Sequence, residues 1–315
     1  MNSRWWSFGR DRRLAPRPSG MWPVPPPAPP QRLSAPKVVV VGNEKGGAGK
    51  TTFASLISIA MLYRGARVAV IDLDLRQSSM GRFLANRRRW LQSVGVDAPM
   101  PLEFKLSENT DELSRTDPAG IIGLFEEAIT LAMRNADIVV IDTPGGDTPV
   151  SRAAHLQGDV VVTPMNDSFV DFDVLGVVDP LTLDLLRPSH YSRVVRDARR
   201  TRISYGRQLD WVVMPNRLAS TEARNRERLQ HDLQALARQI GFRIGPSLSE
   251  RVIYRELFPF GLTIADLSPR IKPIKITAPR EAVKGEMQAL IEAVGLADIT
   301  FDRPPFQPHA GLHPR

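Results

Sequence analysis

Residues 37–52 read KVVVVGNEKGGAGKTT, and this stretch decides the fold. Four consecutive valines are too apolar for a strand with one wet face, which predicts a strand over 37–42 buried on both sides. It runs into a glycine-rich loop and then into a segment whose apolar spacing predicts a helix over 50–63. A loop of this kind between strand and helix turns backbone N–H groups inward, where the positive end of the helix dipole adds to them. Glu44, Lys45, Gly46, Gly47, Ala48, Gly49 and Thr52 are thereby candidate phosphate-cradle positions. Lys50 is spaced to reach the β- and γ-phosphates, and the Thr51 hydroxyl to ligate magnesium. The usual spacing has a glycine five residues before Gly49; Glu44 stands there instead, followed by the extra Lys45. ATP and Mg2+ are the cofactors this pattern predicts.

Outward from that loop the alternation repeats. Short β-branched runs predict strands over 67–72, 137–142, 159–164, 210–215 and 242–245, and helical patterns are expected over 77–91, 120–135, 169–186, 220–240, 250–258 and 279–294. The fold class is α/β: a doubly wound, mostly parallel sheet with helices on both faces, as in P-loop NTPases. Ligands of such sheets bind at the carboxyl ends of the strands. There Asp72 and Asp74 leave the second strand at i, i+2, facing the crevice or capping the next helix. Asp142 ends the third strand as a magnesium carboxylate acting through water, and Gly145 in the following DTPGGD is placed to sense the γ-phosphate. Asn216 follows the fifth strand, where its amide can read the adenine edge or stabilise a turn.

KGGxGKT after a strand resembles the ParA/MinD family of deviant Walker ATPases. That resemblance implies that Lys45 reaches across an ATP-bound homodimer to the partner's nucleotide. It also implies that Asp74 orients or activates the attacking water, that Asp72 supports magnesium, and that Asn216-Arg217 match the adenine-contacting V-x-N-R position. Lys45, Lys50 and Asp74 are thus the expected catalytic residues. VVTPMNDSFVDFD, WVVMPNRLASTEARNRERL and RVIYRELFPFGLT are more specific and resemble the MipZ branch, regulators of the division plane. The branch implies retention on nonspecific DNA, a ParB-set gradient from the cell poles over the nucleoid, and opposition to FtsZ polymerisation. A ParA-type partition ATPase acting through ParB without FtsZ is the alternative. A small-molecule ligase on the same fold would need a second pocket with polar readers, for which no motif is present.

Composition limits the rest. Of the net charge of +8, nearly all sits in residues 1–36 and 303–315, so the bulk charge says little about the body. Within the body, eleven arginines fall between Arg187 and Arg228. Arg224, Arg226 and Arg228 at the start of the 220–240 helix are the DNA candidates, since an arginine fork suits phosphate without reading bases. The absence of cysteine excludes thiolate metal sites and cysteine-held clusters. Nine prolines in residues 1–36 predict a disordered or polyproline extension, residues 37–302 the ATPase domain, and 303–315 a loose tail. No apolar run is long enough to span a membrane and the proline-broken end cannot form an amphipathic anchor, so no membrane partner and a cytoplasmic protein are expected.

Overall fold

In the computed structural model, which describes residues 31–106, 117–166, 169–179, 185–218, 223–249, 252–267 and 280–307, the valine run is β2. In chain order the elements are β1 (Gln31–Arg32), β2 (Lys37–Val41), α1 (Lys50–Tyr63), β3 (Val68–Asp72), α2 (Ser79–Val94) and β4 (Leu102–Phe104). Then come α3 (Pro118–Asn135), β5 (Ile138–Asp142), α4 (Pro149–Gln157), β6 (Val160–Asn166), β7 (Gly176–Val178), β8 (Leu185–Pro188) and α5 (His190–Ser204). β9 (Asp210–Leu218), α6 (Ala223–Ile240), β10 (Arg243–Ile244), β11 (Leu248–Ser249), α7 (Val252–Leu257), α8 (Arg280–Ala293) and β12 (Ile299–Thr300) complete the chain.

The main sheet runs β10-β9-β6-β2-β5-β3-β4, with β11 also on β9, and every pairing in it is parallel. Strand side chains alternate between faces, and the core divides accordingly. Val39, Val41, Val68, Val70, Val140 and Val162 pack with α1, α2, α7 and α8. Val38, Val40, Ile71, Val139, Ile141 and Val161 pack with α3, α4, α5 and α6. Both faces are covered, which is why the strands are almost continuously apolar. β2 lies between β5 and β6, where the winding changes direction, so its carboxyl end opens onto the crevice that such sheets use for ligands. Among the described residues no helix is long and apolar enough to cross a membrane.

In its described residues, 169–179 and 185–186, the expected helix over 169–186 is absent. A 3-10 turn at Phe169–Val174 gives way to β7 and β8, which pair antiparallel. Val174, Val177 and Val178 favour extended backbone, and Pro180 disfavours helix at the residue before it. Gly176 lies where β7 closes on β8, and a Cβ there would crowd the Leu185 side chain and come within 3.1 Å of Arg187 O. α4 and α5 are helices the sequence pattern did not suggest. The first is capped by Thr148, whose hydroxyl accepts from Ser151 N, and the second by Ser189, which accepts from Ser192 N.

The ends also differ from expectation in their described parts. β1, within the proline-rich extension, pairs with β12. The segment after β12 packs on the C-terminal end of α1: Phe306 N–H donates to Tyr63 O at 2.9 Å, and the two rings meet edge-on at 5.7 Å. Residues 1–30 and 308–315 lie outside the described residues.

Candidate functional site

The loop after β2 is held from below before any ligand is considered. Asn43, buried, donates from Nδ2 to Pro164 O at 2.6 Å and accepts from Lys45 N at Oδ1 at 2.8 Å. Behind it Tyr191 donates to Gly42 O at 2.8 Å, and a Cβ at Gly42 would lie 2.8 Å from His155 Nε2 and 2.9 Å from the Tyr191 hydroxyl. Only glycine fits there. Gly47 and Gly49 take φ of 72° and 97°, in the left-handed region that glycine adopts without strain. Space is open around Gly46 and Gly47. No side chain caps α1, so its first N–H groups are left for an anion.

An open cavity of about 890 Å3 lies against this loop. Glu44, Gly46, Gly47, Gly49, Lys50, Thr51 and Thr52 line one side; Asp74 lines another, and Gly145 a third. A Cβ at Gly145 would stand 3.5 Å from Gly46 N, so the hinge after β5 rests on the phosphate loop. Lys50 is buried, with Nζ donating to Lys45 O at 2.9 Å, and burial lowers its pKa against the pull of Asp142 and Asp74. Lys45 and Ala48 belong to the same loop, Ala48 buried beneath it.

Beneath the cavity Thr51 Oγ1 donates to Asp142 Oδ2 at 2.6 Å, while Asp142 Oδ1 is buried without a hydrogen-bond partner. Burial, and then the neighbouring Asp72, push the Asp142 carboxyl up to about 8. An unsatisfied buried acceptor costs free energy unless something fills it. A hard dication, directly or through its water, fits a hydroxyl and a carboxylate set in this way. Thr51 and Asp142 therefore suit magnesium.

Asp72, expected to face the crevice or to cap the next helix, makes capping bonds and lies near Asp142. Its Oδ1 accepts from Asp74 N at 3.0 Å, and its Oδ2 from Met80 N at 3.0 Å and Gly81 N at 3.1 Å. It ties the segment after β3 to the first turn of α2, the capping alternative, and its pKa is raised chiefly by burial. Asp74 accepts from Gln77 N at 3.0 Å and stands at the cavity wall. Asn216 pairs through its backbone with Asn166 of β6 and Leu248 of β11. Its side chain and that of Arg217 lie outside the described residues. So do the side chains of Arg224, Arg226 and Arg228, whose backbone is the first part of α6. Leu233 and Leu236 of that helix are buried, as its apolar stripe requires.

Sequence reasoning missed Asn43, Asn166, His155, Tyr191, Asp147 and His190. Asn166 carries a buried, unpartnered Oδ1 beside Asn216. Trp211 donates to Thr163 Oγ1 at 3.0 Å, the Thr163 hydroxyl lies 3.0 Å from that of Tyr191, and His155 Nε2 lies 3.2 Å from it. No motif marks these residues, because apart from local bonds such as Asn43 to Lys45 and Asp147 to Arg152 their partners lie 28 to 149 positions away. Of the arginines grouped by sequence, two serve the fold. Arg199 donates to Leu209 O and Gly241 O, and Arg202 to Gln208 O, Leu156 O and Asp159.

The iron–sulfur cluster carrier protein of Pseudomonas fragi is 27% identical over 177 residues, 47% of this chain and 61% of that protein. The septum site-determining protein MinD of Buchnera aphidicola is 26% identical over 158 residues, 45% of this chain and 58% of that one. The chain thus spans about three fifths of the length of these relatives, and with no cysteine it lacks thiolates for a cluster. A putative plasmid partition protein of Borrelia burgdorferi bound to AMPPNP shares the fold, with a TM-score of 0.54 at 16% identity, over 82% of this chain and 98% of that one. The family described as ATPase MipZ matches residues 37–298. Since that match runs from β2 past the end of α8, pocket and supporting elements together, the chain belongs to the MipZ family, ATPases of the ParA/MinD type.

Proposed function

We propose that the chain is an ATP-dependent dimerising switch that is retained on nonspecific DNA, opposes FtsZ polymerisation and so positions the division plane, its gradient set by ParB. The observation that carries this reading is the family match over residues 37–298, which includes segments remote from the nucleotide pocket. On this reading the phosphate loop binds ATP through its N–H groups and Lys50. Thr51 and Asp142 would hold magnesium with support from Asp72, which also orders the loop that bears Asp74. Bound magnesium neutralises charge on the phosphate oxygens. Asp74 accepts a hydrogen bond from the attacking water and aligns it with the γ-phosphate. Gly145, resting on the loop, carries the presence or loss of that phosphate to the hinge. Asn216 and Arg217 take the adenine end. Lys45 completes the partner's site, and the dimer doubles the phosphate contacts offered by Arg224, Arg226 and Arg228, so retention on the nucleoid follows nucleotide state.

FtsZ sedimentation with ATP and purified protein tests the reading. Loss of pelleted FtsZ polymer with the wild type, and none with Lys45→Ala, is expected. Lys50→Ala should lose ATP binding itself, whereas Lys45→Ala should bind ATP as a monomer. Arg224→Ala with Arg228→Ala should lose DNA retention and keep the dimer. The fold shared with the Borrelia partition protein favours a second reading, a partition ATPase acting through ParB alone. ParB-stimulated turnover with no effect on FtsZ would select it.

A further inference from the structure

At the mouth of the nucleotide pocket, outside the residues assigned to ATP or magnesium chemistry above except Glu44, three ionisable side chains from three segments converge. His190, the first residue of α5, places Nε2 2.7 Å from Asp147 Oδ2 and 3.9 Å from Glu44 Oε1. Asp147 follows the Gly145-Gly146 hinge, and Glu44 belongs to the phosphate loop. The Glu44 oxygen facing the imidazole is buried and has no hydrogen-bond partner, although the side chain as a whole is 28% exposed. Arg152 of α4 grips both oxygens of Asp147, including the one that faces His190, and with Arg193, one turn further along α5, acts on Glu44 at longer range. With Arg152 already on Asp147, the group is an ion-pair chain and not a cation site. A histidine in the first turn of a helix gains nothing from the helix dipole, whose positive end lies there. What it gains is the two carboxylates.

The placement is firm. Tyr191, the next residue, donates to Gly42 O at the base of the phosphate loop, and the Ser189 hydroxyl caps the helix through Ser192 N. His190 is thus fixed relative to the loop while its ring stays 44% exposed and open to protons. We propose that His190 is a positioning residue for ATP binding, a protonatable clasp that ties Asp147 beyond the hinge to Glu44 of the phosphate loop and offsets their charge at the pocket mouth. When the ring is neutral it can serve Asp147 alone, and Glu44 faces the incoming triphosphate with only the more distant Arg152 and Arg193 to offset its charge. When it is protonated, Nε2–H stays with Asp147 and the cation also screens Glu44. The nucleotide, being strongly anionic, binds more tightly to the second state. The inference rests on ATP binding at the phosphate loop and not on DNA, ParB or FtsZ.

The test is the equilibrium dissociation constant for MgATP from pH 5.5 to 8.5 in wild type, His190→Gln and His190→Lys. Dividing each variant by the wild type removes the protonation of the nucleotide, which is common to all. The wild type should weaken by roughly two- to fivefold more than His190→Gln as pH rises, the scale of one partly screened charge. His190→Lys, a permanent cation, should bind tightly throughout, and His190→Gln weakly throughout. Parallel profiles for wild type and His190→Gln, or a His190→Lys variant that follows His190→Gln, overturn the clasp and leave ATP binding standing. A wild type that binds no MgATP at any pH overturns both.

Discussion

Two sites in this molecule bury a carboxylate, and they are built in opposite ways. Under α2, Arg87 and Asp266 both have fully buried side chains. Arg87 donates to Asp266 at 2.7 and 2.9 Å, and to Pro99 O and Gly261 O at 3.1 Å each. Asp266 also accepts from Tyr63 Oη, Thr263 N and Thr263 Oγ1. Under the phosphate loop, Asp142 is as deeply buried, yet it accepts one hydrogen bond from Thr51, leaves Oδ1 unpartnered and carries a raised pKa. Satisfied burial marks a group that holds the fold together; unsatisfied burial marks a group kept for a ligand.

The largest effect expected falls on chemistry. Asp74→Ala should lower turnover by roughly 10²–10⁴, measured as phosphate release, with MgATP still bound. Turnover at the wild-type rate would reduce Asp74 to a turn former bonded to Gln77. Next is Asp266→Ala, which strands a buried guanidinium and should cost about 3–5 kcal/mol of unfolding free energy, read from a urea titration. A loss as small as that of an exposed residue would break the comparison at its satisfied end.

A smaller, pH-dependent effect comes from Asp142. Its folded pKa of about 8 lies above its unfolded value. The stability it contributes is therefore fully present in acid and is lost as pH rises through about 8. Without nucleotide the protein should become less stable across that range, and the magnesium-dependent part of nucleotide affinity should rise. Melting curves at pH 6 and 8.5, with and without Mg2+ and ATP, check both signs. The least effect is that of Tyr191→Phe, which leaves Gly42 O without its donor. It should cost about 1 kcal/mol and weaken ATP binding more than it slows turnover, as a titration of nucleotide would show.

The sheet and the phosphate loop were legible because β-branched runs and glycine spacing are local signals. The carboxylates at the strand ends were legible for the same reason. α5 was not, since it buries its inner face partly through Arg202, an arginine occupied by three partners, where a periodicity argument expects apolar residues. The meaning of RVIYRELFPFGLT was also hidden. Gly261 of that segment takes φ of 62° and lies so close to the Arg87 backbone that no Cβ fits, and Thr263 forms a capping box with Asp266. Gly261 and Thr263 of that stretch thus frame the satisfied ion pair of Arg87 with Asp266, residues 179 positions apart in sequence.

The account turns on whether Asp142 is held at a cost for a ligand. Its most direct test is the urea unfolding free energy of Asp142→Asn at pH 8, with and without Mg2+ and ATP. Without ligand the variant should be more stable than wild type by about 1–3 kcal/mol, since it removes a carboxyl that folding must either protonate or bury charged. With ligand it should gain almost nothing, while the wild type gains. A ligand-free variant less stable than wild type, still stabilised by Mg2+ and ATP, would contradict the account.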